Sequence, residues 1–482
     1  MKSLKCSERP SWIVSVVPFA VLVAVLVVVV RVFGADALAG GSQVALLFAA
    51  GVTVAISMIF YKAQWEDLEN AILDNIRAVG SAVLILLLIG AIAGSWMISG
   101  IVPSMIYYGM KIIIPEIFLF AACLISALIA IMTGSSWTTI ATIGVALIGI
   151  GTAQGYDAGW TAGAIISGAY FGDKVSPLSD TTVLASSSSG TPIFTHIRYM
   201  LITTVPSIVI AMIVFFVASL LHNHTDASRI SDFSSSLKEA FNITPWLLVV
   251  PVLTGLLIVK KVPAMLTLFI AAFMAGIAAL VFQPEVIREV AGMDTFSFTC
   301  GFKGIMQTYY GSTAINTGNE ILDGLVVTRG MTGMLNTVFL IVSAVAFGGA
   351  LTGSGMLQSL TEMLTRFVSR RVSLVSSTVG TGIFCNMVTG DQYLSIILTS
   401  SLYRKLYENK GYEKRLLSRS VEDSATVVSV LIPWNSCGMT QATVLKVPTI
   451  DYLPYCLFNI ISPLMSIFIS VTGYRIYKKC VK

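Results

Sequence analysis

Residues Gly168-Ala169-Tyr170-Phe171-Gly172-Asp173-Lys174-Val175-Ser176-Pro177-Leu178-Ser179-Asp180-Thr181-Thr182 place two carboxylates and a lysine in an otherwise apolar stretch. A charge at the centre of a membrane helix costs about 2.5–3.5 kcal/mol on insertion scales, so three together need partners or water. Pro177 removes a backbone donor and frees a carbonyl about four residues earlier, near Asp173. Free carbonyls, the hydroxyls of Ser176, Ser179 and Thr181, and carboxylates are hard oxygen ligands of the kind that suit a partly dehydrated alkali cation at Asp173 and Asp180. These two carboxylates are seven residues apart, two turns of an unbroken helix, which would let both face one cavity. The plainer alternative is that Asp173 pairs with Lys174 and merely locks the break, but sequence neighbours do not face each other on a helix. For Asp180 the plainer role is N-cap of a helix beginning at Thr181.

A second region carries Glu422-Asp423 and the break Ile432-Pro433-Trp434-Asn435-Ser436-Cys437-Gly438. Asn435 and Ser436 join the candidate ligands. So do Thr133, at the turn Thr133-Gly134-Ser135, and Asp391, beside Asn386 and Thr389, although a turn cap is the plain role for Asp391. Lys174, Glu422 and Asp423 are candidates for coupling; alternatively the two acids neutralise Arg419 and Arg415 at the cytoplasmic surface. His196 suits a pH sensor by its ordinary pKa, with a packed histidine as the plainer reading. His222, His224 and Asp226 form a weak metal set without a third ligand at fixed spacing, and a solvated loop fits them better. No catalytic residue stands out. An intramembrane protease would need Gly-x-Gly-Asp, Gly-x-Ser-Gly or His-Glu-x-x-His, and Gly168-x-x-x-Gly172-Asp173 is none of these.

The elements that must position these residues are membrane helices. Of 482 residues, 55% are apolar and 11% charged, against about a quarter charged in a soluble domain, which excludes a soluble enzyme. The net charge of +5 is too small to suggest a nucleic-acid partner. Seven cysteines, from Cys6 to Cys480, include no C-x-x-C pair and serve as small apolar residues. Lys2, Lys5 and Arg9 precede an apolar run, and Ala35-Asp36-Ala37 has the look of a cleavage site. Residues 12–30 nevertheless number about 19, a bilayer span rather than a signal core of roughly 7–15. Further span-length runs fall near 43–61, 80–99, 112–133, 192–221, 245–259, 263–283, 333–353, 373–388 and 449–474. Stretches 134–190 and 389–446 are broken by Gly, Ser, Thr, Pro and carboxylates, and irregular backbone at membrane depth survives only inside protein or beside water.

Lys260-Lys261, Arg370-Arg371, Arg404, Lys405, Lys410, Lys414, Arg415, Arg419 and Lys478-Lys479 mark the cytoplasmic side, placing both termini there. Counting spans, hairpins turning at Thr133-Gly134-Ser135 and Thr389-Gly390-Asp391 enter from opposite faces. An internal repeat supports this: Thr133 and Thr389, Gly134 and Gly390, and Pro177 and Pro433 are each 256 residues apart. The predicted architecture is an all-α polytopic membrane protein with two inverted-topology repeats, re-entrant hairpins and broken helices. Residues 1–221 form the first repeat, 222–244 an extracytoplasmic linker and 245–482 the second repeat. Interrupted apolar segments at matching places in two halves point to a secondary transporter's binding site. Gly90-x-x-x-Gly94 and Gly349-x-x-x-Gly353 would permit close helix packing. Residues 284–332 stay open between loop, interfacial helix and partial re-entry.

The segments SGAYFGDKVSPLSDTTVLASS and EDSATVVSVLIPWNSCGMTQATVLKVPTIDYLPYCLFNIISPLMSI resemble the two signature regions of the NhaC family of sodium/proton antiporters, within the ion-transporter superfamily, and the resemblance runs from about residue 65 to 475. It implies an elevator-type ion-transporter fold, a homodimer in a bacterial inner membrane, and exchange of Na+ for H+ with no cofactor beyond these transported ions. It also brings in exchangers of malate for lactate. Where the family pattern carries Asn in SDTTNLA, this chain has Val183. The expected mechanism is competition of Na+ and H+ for a carboxylate site led by Asp173 with Asp180. A sodium- or proton-coupled transporter of an organic acid or amino acid on the same scaffold is the main rival. Paired hairpins with carboxylates at helix breaks fit alternating access better than a channel.

Overall fold

A computed structural model describes residues 10–33, 40–222, 227–260, 262–365, 368 and 370–476. Lys2, Lys5, Cys6, Arg9, Ala35-Asp36-Ala37, His224, Asp226, Lys261, Lys478, Lys479 and Cys480 lie outside the described residues.

Regular structure among the described residues is helical, apart from one isolated antiparallel bridge between Thr313 and Thr328. Nine of the described helices are long and apolar enough to cross a membrane: Trp12–Phe33, Gly41–Tyr61, Gly80–Ile98, Pro115–Thr133, Ser136–Ala153, Ile193–Leu221, Ala264–Phe282, Met331–Gly353 and Arg371–Thr389. Counting the bent pairs Ser231–Ala240 with Pro245–Ile258 and Thr449–Tyr455 with Leu457–Thr472 as one span each gives eleven.

Two helical hairpins organise the interior. In the first, Phe118–Thr133 ends on Gly134 at φ 65°, and Ser135 caps the returning helix by accepting the Thr138 N–H at 3.2 Å. In the second, Arg371–Thr389 ends on Gly390 at φ 64°, and Asp391 caps Gln392–Asn409 by accepting the Leu394 N–H at 3.0 Å. Left-handed backbone at these two turns is what glycine supplies without steric cost. The Thr133 hydroxyl meets that of Thr139, and the Thr389 hydroxyl that of Ser395, each at 3.1 Å.

Each hairpin is followed by a broken helix. Ala158–Val175 stops before Ser176-Pro177-Leu178-Ser179 and resumes as Asp180–Ser189. Lys414–Val421 runs on through a π-turn at Glu422–Thr426, breaks at Ile432-Pro433-Trp434-Asn435 and resumes as Ser436–Leu445. Helix starts recur 256 residues apart, Ser136 with Gln392, Ala158 with Lys414 and Asp180 with Ser436, so the offset seen in single residues extends to whole elements. The first broken helix lies tight against its hairpin, since a Cβ on Gly172 would stand 2.6 Å from the Ala130 Cβ.

Three regions take a form that the sequence left open, unmarked or read as plain loop. The linker 222–244 is not simply a solvated loop: helix Ala227–Ala240 buries Phe233 and Leu237, with Phe241 after it, and the His222 ring stacks on Tyr156 at 4.0 Å between centroids. Residues 284–332 hold short helices Pro284–Ala291, Phe298–Tyr310 and Glu320–Val326. Amphipathic helix Trp65–Ala78, among no apolar run, buries Leu68 and Ala71. It seats against Gly349 and Gly353, where a Cβ on Gly349 would lie 2.6 Å from the Ile72 Cα.

Candidate ion site and buried ion pair

A cavity of about 440 Å³ is bounded by the first hairpin tip (Thr133, Gly134, Ser135), by Trp137 and Thr138, by Asp173, Leu178 and Asp180 of the first broken helix, and by Gln392 and Tyr393 beyond the second hairpin tip. Ala78, Ser81, Ala82 and Ile85, with Ile258, Val262, Pro263 and Ala264, complete the lining. The first hairpin, the first break and the start of the second hairpin's returning helix thus meet at one space.

Asp173 is buried, 6% exposed, and its Oδ2 accepts both the N–H and the hydroxyl of Ser136, at 3.0 and 2.7 Å. Its Oδ1 has no hydrogen-bond partner. Asp180 is exposed; its Oδ1 accepts the Thr181 N–H at 2.9 Å, and its Oδ2 accepts the Tyr393 hydroxyl at 2.7 Å. The helix starts at Asp180 itself and its N-cap is Ser179, which accepts the Thr182 N–H at 3.3 Å and shares a 2.9 Å bond with the Thr181 hydroxyl. Ser176 donates to the Ile131 carbonyl at 2.8 Å. The carbonyls expected to be free at this break have partners: that of Asp173 accepts the Ser176 N–H, and that of Lys174 accepts the Thr182 hydroxyl at 3.0 Å. Val183 is 44% exposed and is not among the lining residues.

The candidates of the second half close on one another instead. Asp391, fully buried, caps its helix through Oδ1 and accepts the Ser436 hydroxyl at 3.3 Å through Oδ2. The Asn435 amide donates to the Asn386 side chain at 3.1 Å, and the Asn386 amide donates to the Ala425 carbonyl at 2.6 Å. The Ser436 N–H returns to the Gly390 carbonyl at 2.8 Å, and the Thr389 hydroxyl donates to the Asp391 carbonyl at 3.0 Å. Asn386, Thr389, Asp391, Asn435 and Ser436 therefore tie the second hairpin to the second break, and none of them lines the cavity.

A third group joins the halves. Lys174 pairs with Asp423, both side chains fully buried, and the Ser462 hydroxyl lies 3.0 Å from Lys174 Nζ and 3.1 Å from Asp423 Oδ1. The Thr203 hydroxyl also reaches Asp423 Oδ1, at 3.1 Å. The surface role for Glu422 and Asp423 is thereby overturned: both acids and Arg419 have zero exposure, and Arg415 pairs with Glu413 instead. A buried ion pair needs good geometry and added hydrogen bonds to offset desolvation, and Ser462 and Thr203 supply the latter. His196, fully buried, shares a 2.9 Å bond with the Ser418 hydroxyl through Nδ1, which makes it a packed histidine.

Sequence reasoning missed Ser136, Tyr393, Thr203 and Ser462. The repeat held a signal for one of them, because Tyr393 stands 256 residues after Trp137 and both line the cavity. Thr203 and Ser462 lie within apolar helices and carry no such mark.

Residues 168–474 match the Na+/H+ antiporter family. The Na(+)/H(+) antiporter NhaC of Bacillus subtilis (strain 168) is 35% identical over 425 residues, which are 88% of this chain and 91% of that protein. The Na(+)/H(+) antiporter NhaC of Alkalihalophilus pseudofirmus is 37% identical, covering 87% of this chain and 88% of its own. The malate-2H(+)/Na(+)-lactate antiporter of Bacillus subtilis is 36% identical over 86% of each chain.

Proposed function

The chain belongs to the Na+/H+ antiporter family, and from that premise we infer a secondary active antiporter that exchanges Na+ for H+ across the membrane by letting both ions compete for Asp173. The observation that carries this assignment is a buried carboxylate at the cavity with one oxygen fixed by Ser136 and the other without a partner. A bare anion at that depth is costly, so the group holds either a sodium ion or a proton. Asp180, tied to the second hairpin through Tyr393, supplies a second carboxylate, with Ser179, Thr181 and Thr133 as nearby hydroxyls. Obligatory exchange follows when the site crosses loaded with one ion or the other and does not cross bare.

The finer architecture goes with this reading. The two repeats are taken as inverted, with both termini cytoplasmic in a bacterial cell membrane, and with Ile258, Val262, Pro263 and Ala264 of the cavity wall near the cytoplasmic face. The protein is taken as a homodimer in which each copy moves its broken helices and hairpins by an elevator-like step. The closed network of Asn386, Thr389, Asp391, Asn435 and Ser436 holds the second hairpin as one body with its break, and Lys174 with Asp423 couples the halves.

One observation favours a second reading, in which a small carboxylate travels as well. The cavity is roomy for a single cation, and helix starts at Ser136, Asp180 and Gln392 border it, where backbone N–H groups favour anions. Vesicles with reconstituted protein separate the readings when sodium, lithium, potassium, malate and lactate are added in turn. Sodium-driven proton flux is expected from wild type and is abolished in Asp173→Asn, while that variant keeps the wild-type size-exclusion profile. Wild-type exchange in Asp173→Asn would sink the assignment, and uptake of labelled malate or lactate with proton or sodium flux would favour the second reading.

A further inference from the structure

The π-turn Glu422–Thr426 holds a carboxyl that the ion pair beside it does not use. Glu422 is fully buried, and neither of its carboxylate oxygens has a hydrogen-bond partner. Lys174, the nearest cation by electrostatic effect, is engaged with Asp423 and Ser462. Three residues earlier on the same helical stretch, Arg419 is also fully buried, and Nε, Nη1 and Nη2 all lack a hydrogen-bond acceptor. Its guanidinium lies over the Tyr199 ring, 4.8 Å from the centroid. Residues three apart occupy neighbouring positions on a helix surface, and here the acid and the base are both buried, both without a hydrogen-bond partner and not bonded to each other.

A buried charge left unpaired costs several kcal/mol, and an ionised Glu422 would be a third carboxylate beside Asp173 and Asp423, with one lysine among them. The guanidinium tolerates its position better, because an aromatic face attracts a cation. We propose that Glu422 carries a second exchangeable proton, bound in the conformation seen here, and that Arg419 becomes its counter-ion when that proton leaves. In that step the O–H bond of the carboxyl breaks heterolytically, the electron pair stays on oxygen and the proton passes to water. Rotation about the Arg419 side-chain bonds then brings the guanidinium from Tyr199 to the new carboxylate. The charged groups acting on Glu422 are Lys174 and Asp173 from helix Ala158–Val175 and Asp423 beside it, with the Thr426 hydroxyl on its own turn; Tyr199 and Tyr407 face Arg419. A π-turn is a frequent device for aiming side chains at functional sites.

This proposal rests on antiport through Asp173 and names where a further proton resides, so the two ideas must fail separately. The test counts protons released by the purified full chain in weakly buffered detergent on addition of NaCl, with choline chloride as control and sodium affinity measured in parallel. Wild type is expected to release about two protons per bound sodium. Glu422→Gln is expected to bind sodium within about threefold of wild type and to release about one proton. Arg419→Gln, with Glu422 intact, is expected to lose the same proton because the counter-ion is gone. In vesicles, wild-type exchange responds to an imposed membrane potential, whereas Glu422→Gln exchange does not. A wild-type count of one overturns the proposal whatever the variants do, and so does a Glu422→Gln count equal to wild type. Undiminished sodium binding in Asp173→Asn instead overturns the assignment of the cation site and leaves the proton count to stand on its own.

Discussion

Asp173 and Lys174 are consecutive, and successive side chains on a helix point about 100° apart. That rotation sends one to the cavity and the other into the protein, where it meets Asp423. Removing either partner of a buried pair leaves an uncompensated charge, at a cost of about 3–5 kcal/mol, while replacing both by apolar groups is often neutral or stabilising. Lys174→Met is therefore expected to lower the thermal unfolding midpoint in detergent, and Asp423→Leu added to it to restore much of the loss. A double variant that melts no higher than Lys174→Met would deny the pair this role. That Asp173 and Lys174 do not pair was legible in the sequence, because helix geometry alone decides it. The partner of Lys174 was not, since it lies 249 residues away on the other half and Glu422-Asp423 stands close enough to Arg419 and Arg415 in sequence to suggest a surface pairing.

At the scale of elements, the hairpins and breaks are specified by short local signals. Gly134 and Gly390 adopt φ near 65°, and Pro177 and Pro433 stop helices whose next turns are capped by Ser179 and Asn435. Both signals are local in sequence, which is why the hairpins, breaks and their 256-residue spacing could be anticipated. Helix Trp65–Ala78 and helix Ala227–Ala240 escaped because each presents only one apolar stripe and owes its place to packing on distant helices. The contact between the first hairpin and the first broken helix sets the distance from Ser136 to Asp173. Gly172→Val would push these apart, since a side chain there meets Ala130, and overpacking of this kind costs about 1–3 kcal/mol. The expected outcome is a folded protein with weakened sodium affinity, measured by titration calorimetry; unchanged affinity would show that the Ser136 bonds do not shape the site.

Across the whole molecule, charge is sorted by depth. Exposed ion pairs such as Arg77 with Asp74 and Arg288 with Glu285 lie at the surface, whereas Asp173 and Lys174, consecutive in one helix, and Arg419, Glu422 and Asp423, close together in another stretch, are buried, with Lys174 paired to Asp423. Composition announced the scarcity of charge but not this clustering, because burial depends on which helices pack together. The cavity at the hairpin tips has a consequence for the solvent. A space of about 440 Å³ has room for on the order of ten waters. Alternating access requires it to close on one side in each cycle, and closure must expel that water. Turnover should therefore respond to osmotic stress: a sugar polymer too large to enter would slow exchange, and the logarithm of the rate plotted against osmolality would have a slope that counts the waters displaced. A flat plot would mean that the cavity keeps its volume throughout the cycle.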